Sequence, residues 1–345
     1  MAMPDVTVLG AGIFGLSIAW TCMVRGARVR VIDPGGPAAG ASGGIVGALA
    51  PHVPENWNDK KQFQLDSLLM AEAFWHAVTA AGGVNPGYGR LGRVQPIGDR
   101  AALDLSRIRE ESARTLWGDA ATWRVVPADH MLWAPHSPSG HVIHDTLSAR
   151  LHPRRACAAL AAAIRARGGE VAPDGATEGR VVHATGIADL TALSTHFGKT
   201  IGNGVKGQGA LLHFDAHDKP QLFAEGLHIV PHSDGTTAIG STSERDYDDP
   251  TATDSQLDDV IGRAMKAVPL LHGARVIERW AGVRPRSRSR APMLGAHPLH
   301  TGDYIANGGF KIGFGMAPKV AQVMADLVLE GRDTIPDAFR PEASL

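Results

Sequence analysis

The chain has 345 residues, a length that as a soft prior suits about two domains. Its 34 Lys and Arg against 35 Asp and Glu leave a net charge of −1, which argues against a basic nucleic-acid surface and against a polybasic membrane anchor. Apolar residues at 44% and charged residues at 20% describe a folded chain with a large core, and the two cysteines, Cys22 and Cys157, exclude a disulfide framework or a cysteine-based zinc site.

Met1 to Asp5 carry no basic run of an export signal, and no uninterrupted apolar stretch reaches about 18 residues, so a cytoplasmic protein without a transmembrane segment is expected. Val6-Thr7-Val8-Leu9 is a β-branched, apolar run and predicts a buried strand. Gly10-Ala11-Gly12-Ile13-Phe14-Gly15 follows, then a helix over 16–25 stopped by Gly26, then a strand through Val29, Val31 and Ile32 that ends at Asp33. Residues 38–50 are small and glycine-rich. They read as a flexible linker or, because Ile45, Val46 and Leu49 interrupt them, as a packed loop that lets backbone approach a ligand. A helix over 59–81 places Phe63, Leu68, Leu69, Phe74, Trp75 and Val78 on one stripe, ended by Gly82-Gly83.

A strand is predicted over 93–97, a helix from the cap residue Asp99 through Trp117, and a strand over 142–144. Pro153 suits the first position of a helix that closes at Gly168-Gly169, Val171 begins a strand, and 180–186 is a buried strand running into a glycine turn. Between 207 and 242 the pattern changes to short alternating runs (210–214, 227–231, 236–240) separated by turns, the mark of antiparallel pairing. Then come a helix over 254–268, a strand over 304–306, the turn Asn307-Gly308-Gly309, a helix over 318–330, and a polar, proline-bearing tail that reads as loose. The fold class is therefore α/β. A Rossmann-like nucleotide domain (1–85, 145–205 and 275–345) is interrupted by an α+β substrate domain with a mostly antiparallel sheet (86–144 and 206–274).

Gly10, Gly12 and Gly15 stand between a strand and a helix, the context a dinucleotide site requires. Gly10 permits the sharp turn, Gly12 removes a Cβ where pyrophosphate approaches, and Gly15 lets helix and strand pack closely. The helix N-terminus, at Ile13 and Phe14, presents N–H groups and a positive dipole end. Asp33, at the next strand end, can accept from a ribose 2′- and 3′-OH and would repel a 2′-phosphate; it is also a natural turn residue before Pro34-Gly35. These residues indicate an adenine dinucleotide without choosing FAD over NAD. The sixteen histidines are scattered with no ligand spacing, so no metal is expected.

Four further segments resemble the FAD-dependent D-amino-acid oxidase superfamily, nearest its glycine oxidase, sarcosine oxidase and D-amino-acid dehydrogenase branch. They are the opening GAGIFG with Asp33; Ala41-Ser42-Gly43-Gly44-Ile45-Val46-Gly47-Ala48-Leu49-Ala50-Pro51; Trp280-Ala281-Gly282-Val283-Arg284-Pro285; and Asn307-Gly308-Gly309-Phe310-Lys311-Ile312-Gly313 with Ala317-Pro318. Together with Ala184-Thr185-Gly186 they span nearly the whole chain in family order. The resemblance implies oxidation of a small amine or amino acid by hydride transfer to flavin N5. It implies backbone contacts to FAD from Ala41, Ser42, Gly43, Gly44, Ile45 and Leu49, from Ala184, Thr185 and Gly186, and from Gly308, Gly309, Phe310, Lys311 and Ile312, with Val171 at the adenine. It implies Arg284 as the carboxylate-binding cation, which as a bare residue could equally be a structural ion pair, with Arg286, Arg288 and Arg290 alternating behind it.

Lys311 falls where relatives place a second carboxylate-binding cation, and otherwise reads as a solvated lysine. His228 stands where glycine oxidases often have Tyr, and either meets substrate or finishes a strand; His52 follows the flavin loop and could face the ring. No Cys follows the Trp280 segment, so the FAD is expected to be non-covalent. The electron acceptor would be oxygen or a respiratory carrier. Two alternatives stand beside this reading. One is the oxidoreductase of tRNA wobble-uridine modification, whose loop is similar to residues 41–49; the other is a non-catalytic dinucleotide-binding protein.

Overall fold

The computed structural model describes residues 3–129 and 131–345. The strand Val6–Leu9 lies inside a six-stranded sheet, paired in parallel with Val29–Ile32 on one side and Arg180–His183 on the other. Glu170–Ala172 extends the sheet beyond Val29–Ile32; on the far side it continues through Tyr304–Asn307 to the antiparallel Met293–Ala296. The helices Ile13–Val24, Asp59–Gly82, Pro153–Ala166 and Gly313–Glu330 pack on one another around a core that holds Leu16, Trp75, Leu160 and Met324. Each such side chain, fully buried, contributes about 1.5–3 kcal/mol.

Local sequence explains the long helix Asp59–Gly82. Asn58 accepts from the Lys61 N–H at 3.1 Å to cap its start, and Gly83, with φ of 71°, takes the left-handed conformation that stops it. Its buried side chains fall at Phe63, Gln64, Leu65, Ser67, Leu68, Ala71, Trp75 and Val78. Leu69 lies off that stripe and is 38% exposed, a correction to the sequence pattern, because one residue of offset turns a side chain by about 100° on a helix.

The second sheet has eight strands. Its spine is the long antiparallel ladder between Gly202–His213 and Arg275–Ser287. From Gly202–His213 the order runs to Thr237–Gly240, Leu227–Pro231 and Gln221–Ala224, then to Arg93–Pro96, His141–Asp145 and Trp123–Pro127. One step, between Gln221–Ala224 and Arg93–Pro96, is parallel; the others are antiparallel. Helix Ser255–Ala267 buries Leu257, Val260 and Ala264 against this sheet.

Several elements differ from the sequence pattern. The strand predicted at 210 begins at Gly202, and Arg275–Ser287, Gln221–Ala224, Met293–Ala296 and the helix Ile187–Phe197 carry no local signal strong enough to announce them. The last helix begins at Gly313, five residues before Pro318, so the proline stands inside its second turn. The tail is not loose. Ile335 is 3% exposed and Phe339 fully buried, with the Phe339 ring 4.9 Å from that of Phe63. Apolar anchors spaced along a polar segment are enough to dock it. Phe339→Ala should therefore lower the unfolding free energy by about 3–5 kcal/mol, read from the urea midpoint at constant m-value; a shift under about 1 kcal/mol would return the tail to a passive role.

Candidate functional site

A cavity of about 710 Å³ lies between the two sheets. One wall is the turn after Val6–Leu9 with Asp33, Pro34, residues 39–42 and Gly44; the opposite wall brings Gly209, Ser241, Trp280 and Arg284 from the second sheet. Its volume lies within the range of sites that enclose a small molecule or coenzyme.

The wall near the opening strand is built from backbone. Gly10 has φ of 106°, and a Cβ there would overlap the Ala184 carbonyl; a Cβ at Gly15 would overlap the Gly10 carbonyl. Helix Ile13–Val24 starts at Gly12 with no side-chain cap and no acidic residue in its first turn. The Ile13 N–H donates to Ser42 Oγ at 3.0 Å, which ties residues 41–43 to the helix start. The N–H groups of Phe14 and Gly15 have no intrahelical acceptor, so they and the dipole end remain for an anion. Asp33 accepts from the Ala11 N–H at 2.7 Å with one oxygen and from the Gly35 N–H at 2.9 Å with the other. It is thus a turn residue, and each oxygen keeps a further lone pair toward the cavity that it lines. The glycine cradle, the bare helix end and this carboxylate together fit an adenine dinucleotide.

At the other end, Asn307 Nδ2 donates to the Gly186 carbonyl at 2.8 Å and the Gly308 N–H donates back to Asn307 Oδ1 at 2.7 Å. The Phe310 N–H donates to the Pro285 carbonyl at 3.1 Å, holding Phe310 at φ of 45°, a left-handed conformation rare for an aromatic residue. Gly308, Gly309, Phe310 and Lys311 line the cavity, as do Ala184, Thr185 and Gly186. Helix Gly313–Glu330 begins directly behind them without a side-chain cap, a second positive dipole end at the same cavity.

Arg284 lies in the strand Arg275–Ser287 and lines the cavity. Its Nη2 donates to Ser241 Oγ at 2.5 Å and its Nη1 to the Thr242 carbonyl at 3.4 Å. A Cβ on Gly207, in the neighbouring strand, would overlap the guanidinium, so that glycine makes the room for it. Burial pushes the Arg284 pKa down to about 10, countered by the charge of Glu244, and the group stays cationic at neutral pH. Among the described residues no carboxylate pairs with it: Glu244 faces Lys206 at 3.7 Å and accepts from Gln208 at 3.1 Å and from Thr242. Lys311 is exposed at the rim, its pKa lowered by partial loss of water and then by Arg284 and Arg286.

Other predicted residues stand behind the walls. Gly43 gives its carbonyl to Arg154 at 2.6 Å; Ile45 and Leu49 are core residues; Ile312 packs against the core. Val171 sits in the strand Glu170–Ala172, paired with Val31, outside the cavity. His52 does not face the cavity: its backbone N–H donates to Gln64 Oε1 at 2.8 Å and its ring contacts the same oxygen. His228 is half-buried beside Phe223 with ring centroids 4.8 Å apart, its Nδ1 unpartnered, and loss of water drops its pKa to about 3. It is a neutral ring near Lys311 rather than part of the cavity wall.

Sequence reasoning missed Ser241 and Gly207, because only the strand pairing brings them to Arg284. It also missed the grouping of His183, His297 and His300, whose ring centroids lie 4.4 to 4.9 Å apart. There His297 Nδ1 accepts from the Leu299 and His300 N–H groups, and His183 Nε2 meets Asp303 at 2.9 Å, so nitrogens of two of these rings already have partners.

Burial pushes His228 to about 3 and His232 to about 4, so at each of these rings the folded chain resists a protonation that the unfolded chain accepts near 6.5. The unfolded state then binds more protons below that value, and stability should fall as pH drops from about 6.5 toward 4, by about 1.4 kcal/mol per pH unit for each ring. Urea midpoints at pH 7 and pH 5 read the loss. A slope left unchanged by His228→Phe would mean that His228 does not contribute.

The sequence profile of the family described as FAD dependent oxidoreductase (DAO) matches residues 5–327. The glycine oxidase of Pseudomonas putida is 28% identical over 377 residues, covering 99% of each chain. The crystal structure of glycine oxidase from Geobacillus kaustophilus shares the fold with a TM-score of 0.85 at 21% identity, covering 98% of each chain. That of iminodiacetate oxidase from Chelativorans sp. BNC1 has a TM-score of 0.84 at 22% identity, covering 97% and 98%. Among the described residues no helix is long and apolar enough to cross a membrane. The chain belongs to the DAO family of FAD-dependent oxidoreductases.

Proposed function

We propose that this protein oxidises a small amine or amino acid with a free carboxylate, of glycine, sarcosine or D-amino-acid type, and that Arg284 holds that carboxylate. The observation that carries the reading is a half-buried guanidinium, lining the cofactor cavity, whose partners are a hydroxyl and a carbonyl but no acid. Such a cation has given up water without gaining a counter-charge, and an incoming carboxylate restores both charge balance and hydrogen bonds in a bidentate pair.

Bound FAD supplies the acceptor, at N5, for the hydride that leaves the substrate α-carbon. The chain's part is orientation. Arg284 fixes the carboxylate, and the carboxylate fixes where the α C–H points. His228, neutral and behind the wall, is not placed to take a proton, which suits a reaction that starts from the neutral amine. The turn Gly308 to Lys311 and the start of helix Gly313–Glu330 would face the flavin's pyrimidine end, where their N–H dipoles favour negative charge. Asp33 would bind the adenosine ribose, and the Phe14 and Gly15 N–H groups the pyrophosphate.

Cys22 and Cys157 are buried in the core and line no part of the cavity, in keeping with non-covalent FAD. We assign 1–85, 145–205 and 275–345 to the FAD unit and 86–144 and 206–274 to the substrate unit, with Arg275–Ser287 as the strand that carries Arg284 into the second sheet. Oxygen or a respiratory carrier would reoxidise the flavin, in the cytoplasm and without a nucleic-acid partner.

The test is anaerobic flavin bleaching by a panel of amines. Glycine, sarcosine or a D-amino acid should bleach it and tRNA should not; bleaching by none of these amines would end the reading. Arg284→Ala should lower kcat/KM for the carboxylate substrate by about 1.5–3 kcal/mol, and an unchanged KM would refute the assignment. Asp33→Asn should weaken FAD binding to the apoprotein by about 10- to 100-fold in a fluorescence titration, through loss of charge-assisted bonds to ribose.

A further inference from the structure

The loop at residues 43–48 is gripped from outside the cavity at every second carbonyl. Arg154 Nε donates to the Gly43 carbonyl at 2.6 Å, His232 Nε2 lies 2.9 Å from the Ile45 carbonyl, and the Leu151 N–H donates to the Gly47 carbonyl at 3.0 Å. These peptides are trans. In a trans peptide the C=O and the following N–H point in opposite directions, so each grip turns one N–H the other way. That way is the cavity: Gly44, Val46, Gly47 and Ala48 line it, while Gly43 and Ile45 do not. Among the described residues the Gly44 and Val46 N–H groups have no acceptor, and a donor withdrawn from water is costly until an acceptor meets it. Val46 also sits against the second sheet. A Cβ on Gly240 would stand 2.9 Å from Val46 Cγ2, and Gly240 adjoins Ser241, the partner of Arg284. The Val46 N–H thus belongs to the Arg284 end of the cavity, away from the Gly10 turn.

Two of the three grips serve other ends as well. Arg154 pairs with Glu278 at 2.6 Å, and the Leu151 bond continues the ladder between Ala48–Leu49 and Ala149–Arg150. His232 is different. It is 1% exposed, and a carbonyl can only accept, so its hydrogen sits on Nε2. Nδ1 is then a bare lone pair, buried and without a partner. Burial, and after it the neighbouring His152, hold its pKa at about 4, so the ring is neutral and has one N–H to give. That N–H goes to a peptide 187 positions away in the chain. We infer that His232 is a positioning residue for the bound cofactor: through the Ile45 carbonyl it keeps the Val46 N–H turned into the cavity, as a donor to an acceptor atom of the flavin portion of FAD. Without that bond the Ile45–Val46 peptide is free to turn over and present a carbonyl, a second acceptor, to the same atom. The inference rests on FAD as the cofactor and is independent of which amine is oxidised.

The experiment titrates the apoprotein with FAD and, as a control, with ADP, which carries the adenosine and pyrophosphate but no flavin. His232→Phe keeps the ring volume and removes the donor. It should raise the Kd for FAD by about five- to tenfold, the value of one hydrogen bond, leave the Kd for ADP unchanged, and shift the visible absorption bands of the FAD-saturated protein. His232→Gln, whose amide Nε2 can donate in the same direction, should restore most of the FAD affinity and the band positions. An FAD affinity and bands unmoved by His232→Phe would overturn the inference. So would equal weakening of FAD and ADP, which is what a merely structural histidine would give, and so would a His232→Gln chain no better than His232→Phe. Should His232→Phe not fold, hydrogen exchange of the Val46 amide in the unaltered chain decides. FAD should slow that exchange by about tenfold or more beyond any effect of ADP, and equal rates with the two ligands would overturn the inference.

Discussion

The structure turns on a guanidinium partly withdrawn from water and left without a counter-ion. Arg284 is held by a serine hydroxyl, a carbonyl and the empty side of a glycine, three groups that fix its direction without neutralising it. That is a costly arrangement for a folded protein, and it is tolerable because the surrounding β-ladder is long and well paired. Its chemical consequence is direct. A site that has already desolvated its cation binds an anion with little further reorganisation.

The other half of the site obeys the opposite logic. At the nucleotide end hardly any side chain is asked to bind. Glycines let backbone come close, helix starts supply N–H groups, and Asp33 serves the turn and the cavity at once. The loop at residues 41–49 links the two ends. Ser42 bonds to the first helix, and the Ile45 carbonyl meets His232 Nε2 at 2.9 Å at the second sheet. The loop is therefore a packed spacer, which fixes how far the glycine turn stands from the arginine.

What could be read along the chain is what near neighbours decide. The opening strand, glycine turn and helix form one short unit whose geometry is set by residues within about thirty positions, and the cap at Asp99 acts within one turn. The cofactor end was legible in part for the same reason: Gly10, Gly12 and Asp33 announce themselves by local spacing, Ser42 and Gly308 by the family resemblance of their segments, and all line the cavity. His52 and His228 mislead because a histidine beside a motif has the same local signature whether it faces a cavity or a neighbouring side chain; here Gln64 and Phe223 decide.

The sequence by itself determined the dinucleotide turn, the alternation of helices and strands, and the presence of a cation in the motif ending Arg284-Pro285. The tertiary structure alone decided that Gly202–His213 is a strand, since four glycines in its first eight residues read as a loop until Arg275–Ser287 supplies their hydrogen bonds. It alone set Ser241 and Gly207 against Arg284 and brought Arg286 and Lys311 to the Phe310 ring. The reason is physical: a β-ladder joins residues some seventy positions apart, as Gly207 and Gly282 are, and the information for such a pairing lies in neither strand but in the fit between them.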